Sequence, residues 1–244
     1  MENATRAQQR LVANGYALKV DGDFGGESYA ALISFVGKQS QVNQLRRDLG
    51  KAMARHFPGV GLTTPIRVAH ALAQQSVETG GFSKLVENLN YSVAGLRSTF
   101  GKSRITDSDC QRLGRKAGAS ALSAAIQEEI ANLVYGGAFG KSQLGNDQDG
   151  DGWRFRGRGA KQTTGRFNYG DVKKVTGIDV VADPDLLADP DMAVQAACIF
   201  WDKKKCNAFA DKNDILGLTQ TVNGGTNGLP DRKAALLRAK SILL

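Results

Sequence analysis

The sequence predicts a mainly α fold on three observations. Apolar residues recur at three- and four-residue intervals in several separate windows, the spacing of one helix face. Thr64-Pro65 and Asp189-Pro190 each place a capping side chain before a proline suited to the first helical position. Between 136 and 164 the pattern changes to a glycine-rich and basic stretch.

In chain order, a helix is expected over 4–14, with Ala4, Ala7, Leu11 and Val12 on one side and Gly15 as its stop. The turn-rich Val20-Asp21-Gly22-Asp23-Phe24-Gly25-Gly26 leads to a second helix over 27–36, ended by Gly37. Leu45, Leu49, Met53 and Phe57 mark a third. The helix opened by Thr64 carries Ile66, Ala69, Leu72, Ala73 and Val77 and runs to Glu78. Leu122, Ile126, Ile130 and Leu133 predict a helix over 120–134. Between 136 and 164 we expect a loop and hairpin lining a cleft wall, with Trp153-Arg154-Phe155-Arg156 alternating as a short strand does. Three helices follow: from Asp189-Pro190 with Met192, Ala196, Ile199 and Phe200, over 214–222, and over 230–243. The expected division is a small helical module over 1–40, a linker near 37–41 and a larger domain over 42–244.

The bulk numbers suit an ordinary globular chain: 244 residues, 41% hydrophobic and 23% charged. The net charge is +8, and residues 1–40 balance, with Arg6, Arg10, Lys19 and Lys38 against Glu2, Asp21, Asp23 and Glu27. The excess beyond residue 40 attracts polyanions: nucleic acid, anionic lipid or an anionic cell wall. Three cysteines, Cys110, Cys198 and Cys206, have no metal-ligand spacing and read as buried free thiols. No apolar signal core follows Met1 and no window reaches a membrane span, so synthesis as a soluble cytoplasmic chain is expected.

The chemistry concentrates at Glu78 and Glu87. Glu78 closes an apolar helix before Gly80-Gly81, a setting that suits a general acid. Glu87 follows after a short loop and suits a general base. Glycosidic hydrolysis needs that division of labour.

Three segments carry a resemblance: Glu78-Thr79-Gly80-Gly81-Phe82 through Glu87-Asn88-Leu89-Asn90-Tyr91, Gly152 to Tyr169 (GWRFRGRGAKQTTGRFNY), and Val222-Asn223-Gly224-Gly225 through Pro230-Asp231-Arg232. In that order they resemble family 19 glycoside hydrolases, over roughly residues 45–244 and nearest to the lysozyme-like branch of phage endolysins. The resemblance implies a lysozyme-like α+β catalytic domain that cleaves peptidoglycan, commonly with inversion, which sets two carboxyls roughly 6.5–9.5 Å apart. It implies Glu78 as acid, Glu87 as base and Thr164 as the hydroxyl that positions water. Gln162, Asn168 and Asn223 would hydrogen-bond sugar or catalytic groups, and Arg232 would stand near the acid. Val77 departs from the histidine the family often places before its glutamate, and His70 reads as a packing residue. A chitinase and a non-catalytic wall-binding protein remain as alternatives.

The turn Asp21, Gly22, Phe24 and Gly25, with Ala31 and Phe35 downstream, resembles a peptidoglycan-binding domain, shorter than the usual three-helix form. Tyr91, Phe82, Trp153 and Phe155 are candidates for stacking on sugars, each weighted toward packing. Arg154, Arg156, Arg158, Lys161 and Arg166 could meet phosphates, but no nucleic-acid-binding signature accompanies them. Asp147-Gln148-Asp149-Gly150-Asp151-Gly152 imitates a calcium loop, yet Arg158 stands at the closing acidic position, so an acidic turn is expected. No metal or cofactor is expected. The expected partner is bacterial peptidoglycan, met by a monomer without nucleic acid or stable membrane insertion. Action would be in the host periplasm, with a holin giving access.

Overall fold

The computed structural model describes residues 3–244, which leaves Glu2 of the charge count outside. The chain forms two compact units: one of residues up to Leu85, Gly159–Gln162 and Leu187–Leu244, the other of Val86–Arg158 and Thr163–Leu186.

The first unit opens with α1 (Ala4–Ala13), α2 (Gly26–Val36), α3 (Gln44–His56) and α4 (Pro65–Glu78). The second holds α5 (Val93–Thr99), α6 (Asp107–Leu113), α7 (Ala124–Val134), the single turns α8 (Gly137–Phe139) and α9 (Asp151–Arg154), and α10 (Arg166–Thr176). The chain returns to the first unit for α11 (Pro190–Lys203), α12 (Asn207–Asp211), α13 (Ile215–Asn223) and α14 (Leu229–Leu243). Among the described residues, β structure amounts to three isolated bridges, Val86 with Arg158, Ser92 with Arg115 and Arg158 with Thr163. The mainly α reading therefore holds, with very little β.

The caps work as the sequence predicts. Asp189 accepts from the amides of Asp191 and Met192 at 2.9 and 3.2 Å; Asp214, at a helix start whose cap the sequence does not mark, accepts from Gly217 at 2.8 Å. Two expectations change. The helix expected from residue 120 starts at Ala124, because Ser123 caps it and Leu122 N instead donates to Asn90 Oδ1 at 3.0 Å. The expected strand over 153–156 begins inside α9, where Trp153 N donates to Asn132 Oδ1 at 2.8 Å.

Residues 1–40 do not form a separate core. Leu11, Leu32, Ile33 and Val36 share one apolar cluster with Leu49, Leu72, Ala239 and Ile242. Gly50 lets α3 lie against the start of α2, since a Cβ there would stand 2.3 Å from Gly26 O. The expected linker at Gly37 is likewise packed, with Gly37 in backbone contact with Gly81.

His70 is fully buried, as a packing residue should be, with Nε2 3.0 Å from Asn213 Oδ1. Lys240 Nζ donates to that same oxygen at 2.6 Å. Burial pushes the His70 pKa down, and Lys240 adds to this, while the Asn213 hydrogen bond and Asp214 oppose it. A free histidine titrates near about 6.5, so below that pH the unfolded chain takes up the proton first. Stability should therefore fall as pH drops below about 6.5 and through the lower folded value. Melting temperatures between pH 7 and 5 should fall less steeply for His70→Gln than for the parent. Parallel slopes would place the acid sensitivity elsewhere.

Candidate functional site

In the first unit, Glu78 is the last residue of α4. The chain then reverses through Gly80, Gly81 and Phe82, all left-handed, with φ of 57°, 73° and 58°. Two glycines take that conformation without strain, and Phe82 is held in it by full burial. Thr79 Oγ1 donates to Gln75 O at 2.7 Å and accepts from Phe82 N at 2.9 Å, which fixes the turn behind the carboxylate.

Arg232 on α14 meets Glu78, as the resemblance implies. Its Nη2 donates to Glu78 Oε1 at 2.5 Å, and its Nη1 donates to Gln74 Oε1 at 2.6 Å. Arg232 is 2% exposed, and the Glu78 side chain 17%. Gln74 and Glu78 are four residues apart, on one face of α4, so one guanidinium spans both. Gln74 Nε2 donates in turn to Thr219 Oγ1 at 3.2 Å. Gln162, with φ of 55°, lies in the turn at 159–162 and donates to Gly159 O at 3.1 Å. Asn223 is exposed as the last residue of α13.

In the second unit, Glu87 has a different setting. Tyr135 Oη donates to its Oε1 at 2.7 Å, and Gly157 N donates to its Oε2 at 3.2 Å. Glu87 N also donates to Gly157 O at 2.8 Å, so main chain and side chain are anchored to one residue. Burial, then the charge of Glu87, raise the Tyr135 phenol well above its usual pKa, which keeps it a donor. Tyr91, pushed up to about 12 by burial and by Glu87, packs edge-on to Phe100 at 5.3 Å. Thr164 precedes α10, and its carbonyl accepts from Asn168 Nδ2 at 2.7 Å.

Tyr135→Phe removes the hydroxyl donor and keeps the ring. A hydrogen bond to a charged group contributes about 1.5–3 kcal/mol, so with Glu87 as the expected base kcat should fall roughly 10- to 100-fold. Steady-state kinetics would check this, and an unchanged kcat would remove Tyr135 from the machinery.

Other candidates serve packing. Phe82 and Phe155 are fully buried, and Arg156 lies over the Trp153 ring at 3.7 Å. Most of the basic run is spent internally. Arg154 donates to Ala182 O, Arg158 pairs with Asp185, and Arg166 grips Asp151 through two nitrogens at 2.5 and 3.0 Å. That grip also makes the acidic segment before α9 an arginine-pinned turn. All three cysteines are free and buried, and burial pushes Cys198 and Cys206 up to about 12.

At the N-terminal turn, Asp21 and Gly25 line a cavity of about 310 Å³ with Gln8 and Ser28. Phe24 is instead buried edge-on to Tyr29 at 5.1 Å, and Gly22 N donates to Gln8 Oε1 at 2.9 Å. Phe24 therefore belongs to the core, and Gly22 to the scaffold of the turn.

Residues 137–226 match the chitinase class I family of glycosyl hydrolases, a span that includes Gln162, Thr164, Asn168 and Asn223 and begins after both glutamates. A glycosyl hydrolase family 19 domain-containing protein of Haemophilus influenzae is 34% identical over 189 residues, 78% of this chain and 86% of that protein. A family 19 class IV chitinase structure from Zea mays aligns with a TM-score of 0.49 at 17% identity, covering 87% of this chain and 89% of that one.

Proposed function

The chain belongs to glycoside hydrolase family 19 and is a glycoside hydrolase, and from that premise we propose that its substrate is bacterial peptidoglycan. The bond cleaved is the β-1,4 link from N-acetylmuramic acid to N-acetylglucosamine. Glu78 gives its proton to the leaving oxygen. Glu87 takes a proton from the water that attacks the anomeric carbon, and the Thr164 hydroxyl positions that water.

The observation that carries this assignment is the unlike setting of the two carboxylates. Glu78 ends an apolar helix with, among the described residues, only its Oε1 held, by Arg232, which leaves Oε2 for a proton, while Glu87 is held through both oxygens, by a phenol and a backbone amide. Peptidoglycan is favoured over chitin by the charge of +8, which suits an anionic wall better than a neutral polymer. In this reading the enzyme is a phage endolysin that reaches the periplasm through a holin, and residues 1–40 contribute wall binding.

The test is product mass spectrometry on purified sacculi and on chitin oligomers. Soluble fragments with reducing N-acetylmuramic acid ends are expected from sacculi. Reducing N-acetylglucosamine ends from chitin, with no release from sacculi, would make the chain a chitinase. Binding to sacculi without soluble products would make it a wall-binding protein.

A further inference from the structure

A cavity of about 300 Å³ lies within the first unit, where Gly37 and Lys38 meet α4 and α14. That volume is at the lower end of small-ligand sites. Neither Glu78 nor Glu87 lines it. Gly37 and Gly81 supply a wall of bare backbone, since a Cβ at Gly37 would stand 2.4 Å from Gly81 O. Three charged side chains also line it: Lys38, Asp231 and Arg238. Lys38 and Asp231 are exposed, and Arg238 is half-buried. Arg238 Nε donates to Val36 O at 2.8 Å, which anchors the guanidinium. Its two terminal nitrogens have no acceptor among the described residues, and neither has the Lys38 ammonium. The Asp231 carboxylate likewise pairs with no cation among them.

Burial lowers the Arg238 pKa and the charge of Asp231 opposes this, so the acid stands within electrostatic reach of the guanidinium without bonding to it. The three ionic groups are therefore held around one space and not spent on one another. A neutral sugar would leave all of them unanswered. A simple anion would answer the two cations and meet Asp231 as a like charge. A group that carries both signs answers all three. The two terminal nitrogens of a guanidinium match the two oxygens of a carboxylate, and a carboxylate such as Asp231 matches an ammonium. Ammonium and carboxylate on one carbon are the free end of an amino acid. A wall peptide offers that end where a diamino acid of its stem is not cross-linked.

Resting on the peptidoglycan reading above, we propose that this cavity is a binding site for the free amino-acid end of a peptide stem. The carboxylate lies on Arg238 and Lys38, and the ammonium lies on Asp231. Occupancy ties the first unit to strands whose stems are not cross-linked.

The test is calorimetry on the full chain with a tripeptide stem that ends in a diamino diacid. Its N-terminus is acetylated throughout, as the link to the sugar would leave it. The peptide is used intact, with the side-chain amine acetylated, and with the carboxylates converted to amides. The parent should bind the intact peptide roughly tenfold more tightly than either blocked form. Asp231→Asn should weaken binding of the intact peptide roughly tenfold and leave the acetylated one unchanged. Arg238→Gln should weaken the intact peptide to a similar extent and leave the amidated one unchanged. Lys38→Gln, at an exposed position, carries the carboxylate arm of the test if Arg238→Gln does not fold. No binding of the intact peptide at millimolar concentration, or equal losses on intact and blocked forms, would overturn the proposal. Sensitivity to Arg238→Gln without sensitivity to Asp231→Asn would overturn it too, leaving a plain anion site. Failure of the peptidoglycan reading itself has another signature, a parent enzyme that releases nothing from sacculi.

Discussion

Glu78→Gln should lower the rate of sacculus hydrolysis by roughly three orders of magnitude, within the 10²–10⁴ range of general acid catalysis. The substitution keeps the shape of the side chain and an oxygen for Arg232 Nη2, so the fold should survive. It removes the only proton the side chain can give to a leaving oxygen. The loss corresponds to about 4 kcal/mol of transition-state stabilisation, and it should appear in kcat with sacculus binding retained. Glu87→Gln makes a useful companion, because its amide oxygen can still accept from Tyr135 and Gly157. Reducing-end release from sacculi, measured beside sedimentation binding, separates chemistry from recognition. Near-parental turnover by Glu78→Gln would end its assignment as the acid.

The parts of this fold that were legible in the sequence are those fixed by neighbours along the chain. Thr64-Pro65 and Asp189-Pro190 announce helix starts because a cap acts within three residues, and both helices start there. Four residues of alternation at 153–156 were too few to tell a strand from a helical turn. What decides there is Asn132, 21 positions away, which accepts from Trp153 N. The helix α10 begins after Gly165, a glycine with φ of 91° and no side chain to announce a cap, inside a segment that reads as loop.

The site divides in the same way. Motif order points to Glu78, Glu87 and Arg232, and of these the structure shows the contact of Arg232 with Glu78. Gln74 was open to inference, since it lies one turn before Glu78 on the same helix face. Tyr135 was not, because its contact with Glu87 spans 48 positions and nothing beside it in sequence marks a donor. The peptidoglycan-binding resemblance at 21–25 did not reveal that Phe24 points into the core, since an aromatic in a turn motif looks the same whether it packs or binds.

Arg232→Ala should be the most destabilising of these substitutions, and its argument also explains why stability and chemistry are tied together. The guanidinium is buried between α4 and α14, where it satisfies Gln74 through side chain and backbone, Asn227 O at 3.4 Å, and Glu78. Removing one partner of a buried pair leaves the other charge without compensation, at a cost of about 3–5 kcal/mol. For a chain of this size that lowers the melting temperature by roughly 10 °C. Part of the cost belongs to Glu78, so Arg232→Ala should destabilise less in the Glu78→Gln background than in the parent. The difference measures the coupling between two residues 154 positions apart. Lys at 232 keeps the charge but cannot form the fork that spans Gln74 and Glu78, so Arg232→Lys should recover only part of the stability. Thermal melts of the single and double variants decide the matter. A melting temperature within about 2 °C of the parent for Arg232→Ala, a change of under about 1 kcal/mol, would show that the pair does not hold α14 against α4.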